Sequence, residues 1–342
     1  MTSKLTGAFR THQHYLEAFA FIATGGQWKL SDSYHSVRVR FVGSVSCPQI
    51  AINIENSAQV QRSMENAWGT ELILLLSHRL LKGDEIVRVS NNWNVVQAYY
   101  ALYHATQALI VARGLRRPET HPKTQKMFLD YWGRLPVEFA PWSLSVGGDG
   151  HHPDTFKFDT HLHAWTTVDS NTCWSIACKA LQTTRTDYIY ERIKLARENK
   201  RKVNHKAWLE KKTERAARHL KKDIEPRFRL PLLTIEEKKQ VDNQTRNYSL
   251  IDYLFRLRIR SNYIDSAMFT EGPEHESESS SVRVSLLKIV CTSLLASELI
   301  LCKCPQGKHH LVEWASRWIE KNVPKDMPFG VSERIQFWNS NA

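Results

Sequence analysis

The hydrophobic pattern becomes regular after residue 60. Met64, Trp68, Leu72, Leu75 or Leu76 and Leu80 recur at three- and four-residue steps, which predicts a helix over 61–82 that Gly83–Asp84 stops. A second helix is predicted over 92–113, where Val96, Tyr99, Tyr100, Tyr103, Leu109 and Ile110 form a broad stripe ahead of Gly114. Pro118 and Pro122 then punctuate a loop before a shorter helix over 123–132. Residues 134–184 show no clean period and carry GGDGHHPD, so loops are expected there. Residues 187–222 read as one long charged helix, or two meeting near Asn204, closed by PRFRLP at 226–231. Thr234 and Glu237 have capping-box spacing and predict a helix start. ESESSS at 276–281 is expected as a solvated loop, followed by helices over 282–301 and 311–321. Upstream, SVRVRFVGSVS at 36–46 alternates apolar and polar residues, so a strand is expected, with CPQIAINI at 47–54 as its hairpin partner. No internal repeat is visible.

Composition adds three constraints. A hydrophobic content of 42% over 342 residues supports a real core and excludes wholesale disorder. The longest apolar run, 284–301, contains Lys288 and Glu298, which fits a buried bundle helix better than a membrane span. Six cysteines are too sparse for a disulfide scaffold, and the N-terminal residues lack the apolar core of a signal peptide. A soluble, cytoplasmic protein with no membrane partner is therefore expected.

Charge changes the picture most. The formal net charge is +12, and residues 185–229 hold 16 Lys and Arg against 7 Asp and Glu, a net of +9. Such a surplus on a helix cannot all be paired along the helix, and it favours a polyanionic partner through phosphate neutralisation. The candidate nucleic-acid-binding residues are Lys200, Arg201, Lys202, Lys206, Lys211, Lys212, Arg215 and Arg218, with His205 and Trp208 available to stack on bases. The plainer reading is a solvated helix face. His151-His152, His161-x-His163, Cys173-x4-Cys178 and Cys302-x-Cys304 match no standard zinc spacing, so no metal is predicted. GGDG lacks the Lys-Ser/Thr of a phosphate loop and no G-x-S-x-G elbow is present, so no cofactor is predicted.

Two separated segments carry a family likeness. VVQAYYALYHATQALIVARGL (95–115) places Ala98, Tyr99, Tyr100, Ala101, Tyr103, His104, Ala105, Ala108 and Arg113-Gly114-Leu115 on one pattern, and a Thr-His pair follows at Thr120–His121. LIDYLFRLRIRSNYIDSAMF (250–269) places Arg258, Asn262, Tyr263, Asp265 and Phe269 on another. Together they resemble the early and late core helices of the HEPN superfamily, the higher eukaryotes and prokaryotes nucleotide-binding domain. The departures are Ser261 and Asn262 in the second motif, and the long stretch that parts the halves.

The resemblance implies a mainly α protein: an up-and-down helical bundle split by a basic helical insertion, with a small N-terminal α/β or hairpin element. The expected domains are 1–60, then 61–132 and 248–322 as the two parts of the bundle, 133–247 as the insertion and 323–342 as a tail. HEPN nucleases cut RNA without metal, using an Arg and a His a few residues apart. A histidine can draw the proton from a 2′-hydroxyl while an arginine offsets charge on the phosphate. Here Arg258 is present, but Tyr263 stands where that histidine would be. Arg258, Tyr263, Asn262 and His104 are thus the candidate catalytic residues, with His104 the nearest alternative base. The expected function is RNA-directed, either as a metal-independent endoribonuclease in a defence or toxin–antitoxin setting or as a non-catalytic module that binds nucleic acid or a partner protein as a subunit of a larger complex. The resemblance also implies a homodimer through the bundle.

Overall fold

The computed structural model describes residues 2–42, 57–147, 168–218, 232–304, 306–324 and 330–338. The protein is mainly α, with twelve α-helices among the described residues. Two two-residue strands, β1 (Ser145–Val146) and β2 (Tyr248–Ser249), are the only β structure there. The chain divides into two compact units, one of residues 1–145, 159–181 and 248–342, the other of residues 146–158 and 182–247.

In the first unit α1 (Thr2–Thr24) and α2 (Leu30–Val42) precede a long hairpin of α3 (Ser57–Leu80) and α4 (Asp84–Ala112). The expected strand from residue 36 is, through Val42, the second half of α2. Val37, Val39 and Phe41 satisfy a two-residue period, yet Val39 is 57% exposed while Tyr34, Val37 and Phe41 are buried at three- and four-residue steps. Arg40 completes the helical solution by donating to the carbonyls of Ile22, Ala23 and Ala140. The rest of that hairpin, including CPQIAINI, lies outside the described residues. The α4 helix starts a full two turns earlier than expected, at Asp84, whose carboxylate accepts from Arg88 Nε at 2.8 Å.

After α5 (His121–Trp132), a 3-10 turn at Val137–Phe139 seats Phe139 and Trp142 against Phe41. The stretch read as loops also contains the start of α6 (Val168–Arg218), a single helix of 51 residues. Trp174, Ala177, Cys178 and Leu181 are buried there at helical spacing. The first unit resumes with α8 (Leu250–Ile259), whose cap is made by Asp252 accepting from Ser249 N and Oγ at 2.9 and 3.0 Å. A π-helical turn at Arg260–Ile264 and α9 (Ala267–Glu271) follow.

The centre of this unit is α10 (Glu276–Cys302), packed against α1, α2, α3, α4 and α11 (Gly307–Asn322). It is long and apolar enough to cross a membrane, and 89% of its most apolar window is buried inside the fold. ESESSS forms its first six residues rather than a loop. Acidic residues suit the positive end of a helix, and Glu278 accepts from Glu274 N, His275 N and Arg10 Nε. The expected tail contains α12 (Val331–Trp338), fixed by a buried arginine, Arg334.

In the second unit, α6 from residue 182 onward packs Ile189 and Ile193 against Leu233 and Val241, with α7 (Ile235–Asn243). The expected capping box is present: Glu237 N donates to Thr234 Oγ1 at 3.1 Å and Thr234 N to Glu237 Oε2 at 2.7 Å. Arg185, buried, donates to Asp242 Oδ1 at 2.6 Å and to the Thr245 carbonyl at 2.9 Å.

Candidate functional site

Within the first unit, α4, α5 and α8 bring together one arginine, two histidines and four aromatic rings. The tyrosines come from consecutive turns of α4, and Tyr99, Tyr100 and Tyr103 project toward α8 because that face of α4 packs on it. From α8, Arg258 lays its guanidinium 5.0 Å from the Tyr100 ring centroid, 5.6 Å from Tyr99 and 5.8 Å from Phe255. Its backbone carbonyl accepts from Ser261 Oγ at 3.0 Å. The guanidinium itself makes no hydrogen bond or ion pair among the described residues, and its Nε is buried without a partner.

An arginine carries five donors and stays charged at any physiological pH. Ring faces attract the cation but accept hydrogen bonds only weakly, so this group has donor capacity left for an anion. The obvious internal partner is taken: Asp265 accepts instead from Arg260, at 2.9 and 3.1 Å.

His121 opens α5 and joins the same cluster. Its Nδ1 lies 2.7 Å from the Tyr99 hydroxyl, and its ring centroid is 4.9 Å from Tyr103 and 5.4 Å from Phe255. Burial lowers its pKa, and the charge of Arg258 lowers it further. His104 stacks on Tyr100 at 6.0 Å and meets Tyr103 edge-on at 5.5 Å. Burial, then the charge of Arg117, brings its pKa down to about 4. Both imidazoles are therefore neutral at pH 7. If Nδ1–H of His121 donates to the Tyr99 oxygen, Nε2 keeps its lone pair and is free to take a proton.

The structure brings Arg258 and His104 together around Tyr100. Asn262 and Tyr263, on the π-helical turn, join none of the hydrogen bonds, ion pairs or ring contacts of the cluster, and Tyr263 is 75% exposed. Sequence reasoning assigned no role to His121. The signal was the Thr120–His121 pair after Arg113-Gly114-Leu115, but only the fold sets it against Tyr99 and Phe255.

The basic candidates lie on α6 in the second unit. Arg201, Lys202, Lys206 and Lys211 are exposed, whereas Lys200 is held by Glu237 at 2.8 Å and by the Leu232 carbonyl at 3.2 Å. Lys212, Arg215 and Arg218 lie further along the same helix. His205 and Trp208 stack on each other, 5.9 Å apart and 19° from parallel. Of the sequence's His/Cys groups, residues 151–163 lie outside the described residues, and no group of three metal-ligating side chains occurs among those described.

No protein-family model, curated protein or solved structure matches this chain.

Proposed function

We propose that this chain is an RNA-directed protein of HEPN type whose Arg258 cluster receives a phosphate of the RNA strand. The observation that carries the reading is the Arg258 guanidinium on its aromatic platform, unpaired among the described residues and beside a neutral histidine. In the catalytic version, His121 takes the proton of a 2′-hydroxyl, Arg258 offsets the charge developing on the phosphate, and Tyr99 holds the imidazole in the required tautomer. The exposed cations of α6 supply sequence-independent phosphate contacts. His121 replaces Tyr263 as the preferred base, since a phenol with a pKa near ~10 is a poor base at neutral pH. A defence or toxin–antitoxin role is the setting the resemblance suggests.

The rival is a non-catalytic module that binds nucleic acid or a partner protein. It is favoured by the 75% exposure of Tyr263, which leaves the position of the nuclease histidine outside the cluster. Incubation with end-labelled single-stranded RNA in EDTA separates the two. Metal-independent cutting that disappears in Arg258→Ala and drops by about 10²–10⁴-fold in His121→Ala supports the enzyme. Salt-sensitive binding without cutting, lost in Arg258→Ala, supports the module. RNA binding and cutting that ignore Arg258 refute both.

A further inference from the structure

A second feature of the first unit lies apart from the Arg258 cluster. A cavity of about 730 Å³ is bounded by α1, the turn after it, the start of α6 and the first half of α10. Sites for small organic molecules span roughly 300–1,000 Å³, whereas packing gaps in cores rarely exceed a water molecule. The walls are mainly apolar, with Ala18 and Phe21 from α1, Ile176 from α6 and Val284 from α10.

One end is built by a glycine turn. Gly25 and Gly26 hold left-handed φ angles of 65° and 79°. Gly26 N donates to the Phe21 carbonyl at 2.9 Å, and a Cβ there would press the Phe21 ring at 3.2 Å. The turn carries Trp28 out to 89% exposure, and the Lys288 ammonium lies 5.5 Å from its ring centroid.

Lys288 is the cation that interrupts the apolar run of α10. Its Nζ makes one long hydrogen bond, to the Gln27 carbonyl at 3.4 Å, and it has no carboxylate partner among the described residues. Burial lowers its pKa, as expected of a half-buried ammonium short of partners. The other charged group at the cavity, Glu17, is already engaged: its Oε1 accepts from Ser281 Oγ at 2.5 Å and Gln13 Nε2 at 2.9 Å. Ser281 and Lys288 are seven residues apart on α10, about 10.5 Å along the axis. Glu17 repels an anion from its end of the cavity, and Lys288 draws one to its own.

We infer that this cavity binds a small organic carboxylate with an apolar body, its head on Lys288 beneath Trp28 and its body along Phe21, Ile176 and Val284. The full chain is titrated calorimetrically with decanoate below its micelle threshold and with decan-1-ol as the neutral control. Wild type is expected to prefer decanoate by about tenfold, the scale of one hydrogen bond to a charged group. Lys288→Met should erase that preference and leave decan-1-ol binding unchanged, while Lys288→Arg should retain it. Val284→Trp should weaken both ligands, with Ile176→Trp as the second filling variant if the first melts early. No decanoate binding to wild type, a preference that survives Lys288→Met, or binding that ignores both tryptophan variants overturns the inference. Arg258→Ala is expected to bind decanoate normally, so this result stands or falls independently of the RNA reading.

Discussion

Two arginines of the first unit show opposite solutions to one problem. Arg334, on α12, is wholly buried and fully answered: Glu298 accepts from its Nε at 2.8 Å and Nη2 at 2.7 Å, and Glu71 accepts from Nη1 and, at 2.9 Å, from Nη2. The indoles of Trp68 and Trp338 donate to the remaining lone pairs of Glu298 at 2.9 and 3.2 Å. Arg258, half-buried on α8, faces Tyr99, Tyr100 and Phe255, and its guanidinium meets no acceptor among the described residues. A charge enclosed by carboxylates holds helices together. A charge set among ring faces keeps most of its hydrogen-bond donors unused among the described residues.

The largest effect should come from breaking the closed network. Arg334→Met leaves two buried carboxylates facing each other, and a loss of about 3–5 kcal/mol is expected in urea unfolding. Arg258→Ala should shift the same curve by less than about 1 kcal/mol, because lost ring contacts are offset by removal of an unanswered charge. Equal destabilisation by the two changes would erase the contrast.

On function the order reverses. Arg258→Ala should lower cleavage at least about 10²–10³-fold, below detection in the end-labelled assay, or abolish RNA binding in the binding version. Arg258→Lys should rescue little, since a lysine lacks the planar fork. A folded Arg334 variant should keep its RNA behaviour.

Acid should act next. His104 is lowered to about 4 and His12, by burial first and then Arg260, to about 3. Both lie below the free imidazole value of about 6.5, so the unfolded chain takes up protons that the folded chain refuses. Their stability is complete above pH 6.5 and is lost as pH falls from there toward 4 and 3. Thermal melts should drop across that window, and His12→Gln should flatten the drop. If catalysis uses His121, the cutting rate should also fall with acid, through a pKa below 6.5, because the base is then protonated.

The smallest effect tests the tautomer. Tyr99→Phe removes the 2.7 Å bond to His121 and should cost about 0.5–1.5 kcal/mol in stability, while cutting slows without loss of RNA affinity. Affinity that falls with the rate would make Tyr99 part of the binding surface instead.

Much of the fold was legible locally. The stripe on α4, the turn at Gly83, the capping box at Thr234 and the core character of α10 each rest on spacing within one or two turns. The failures were also local in origin. Val37, Val39 and Phe41 fit a strand and a helix alike, and only the burial of Tyr34 beside them decides for the helix. ESESSS looked like a loop because solubility and helix N-terminal chemistry favour the same residues. At the site, the resemblance pointed to Arg258 and His104, while His121 needed the packing of α5 on the cluster to become visible.

By itself, then, the sequence determined that the chain is helical, where most helices run and where positive charge accumulates, because periodicity and composition are properties of neighbours along the backbone. Which arginine is neutralised and which is left with rings, and whether Lys288 meets a carboxylate, were decided only by tertiary structure. Arg334 meets Glu71, Arg258 meets Tyr100 and Lys288 meets the Gln27 carbonyl across more than a hundred positions each, and no local pattern encodes such distances.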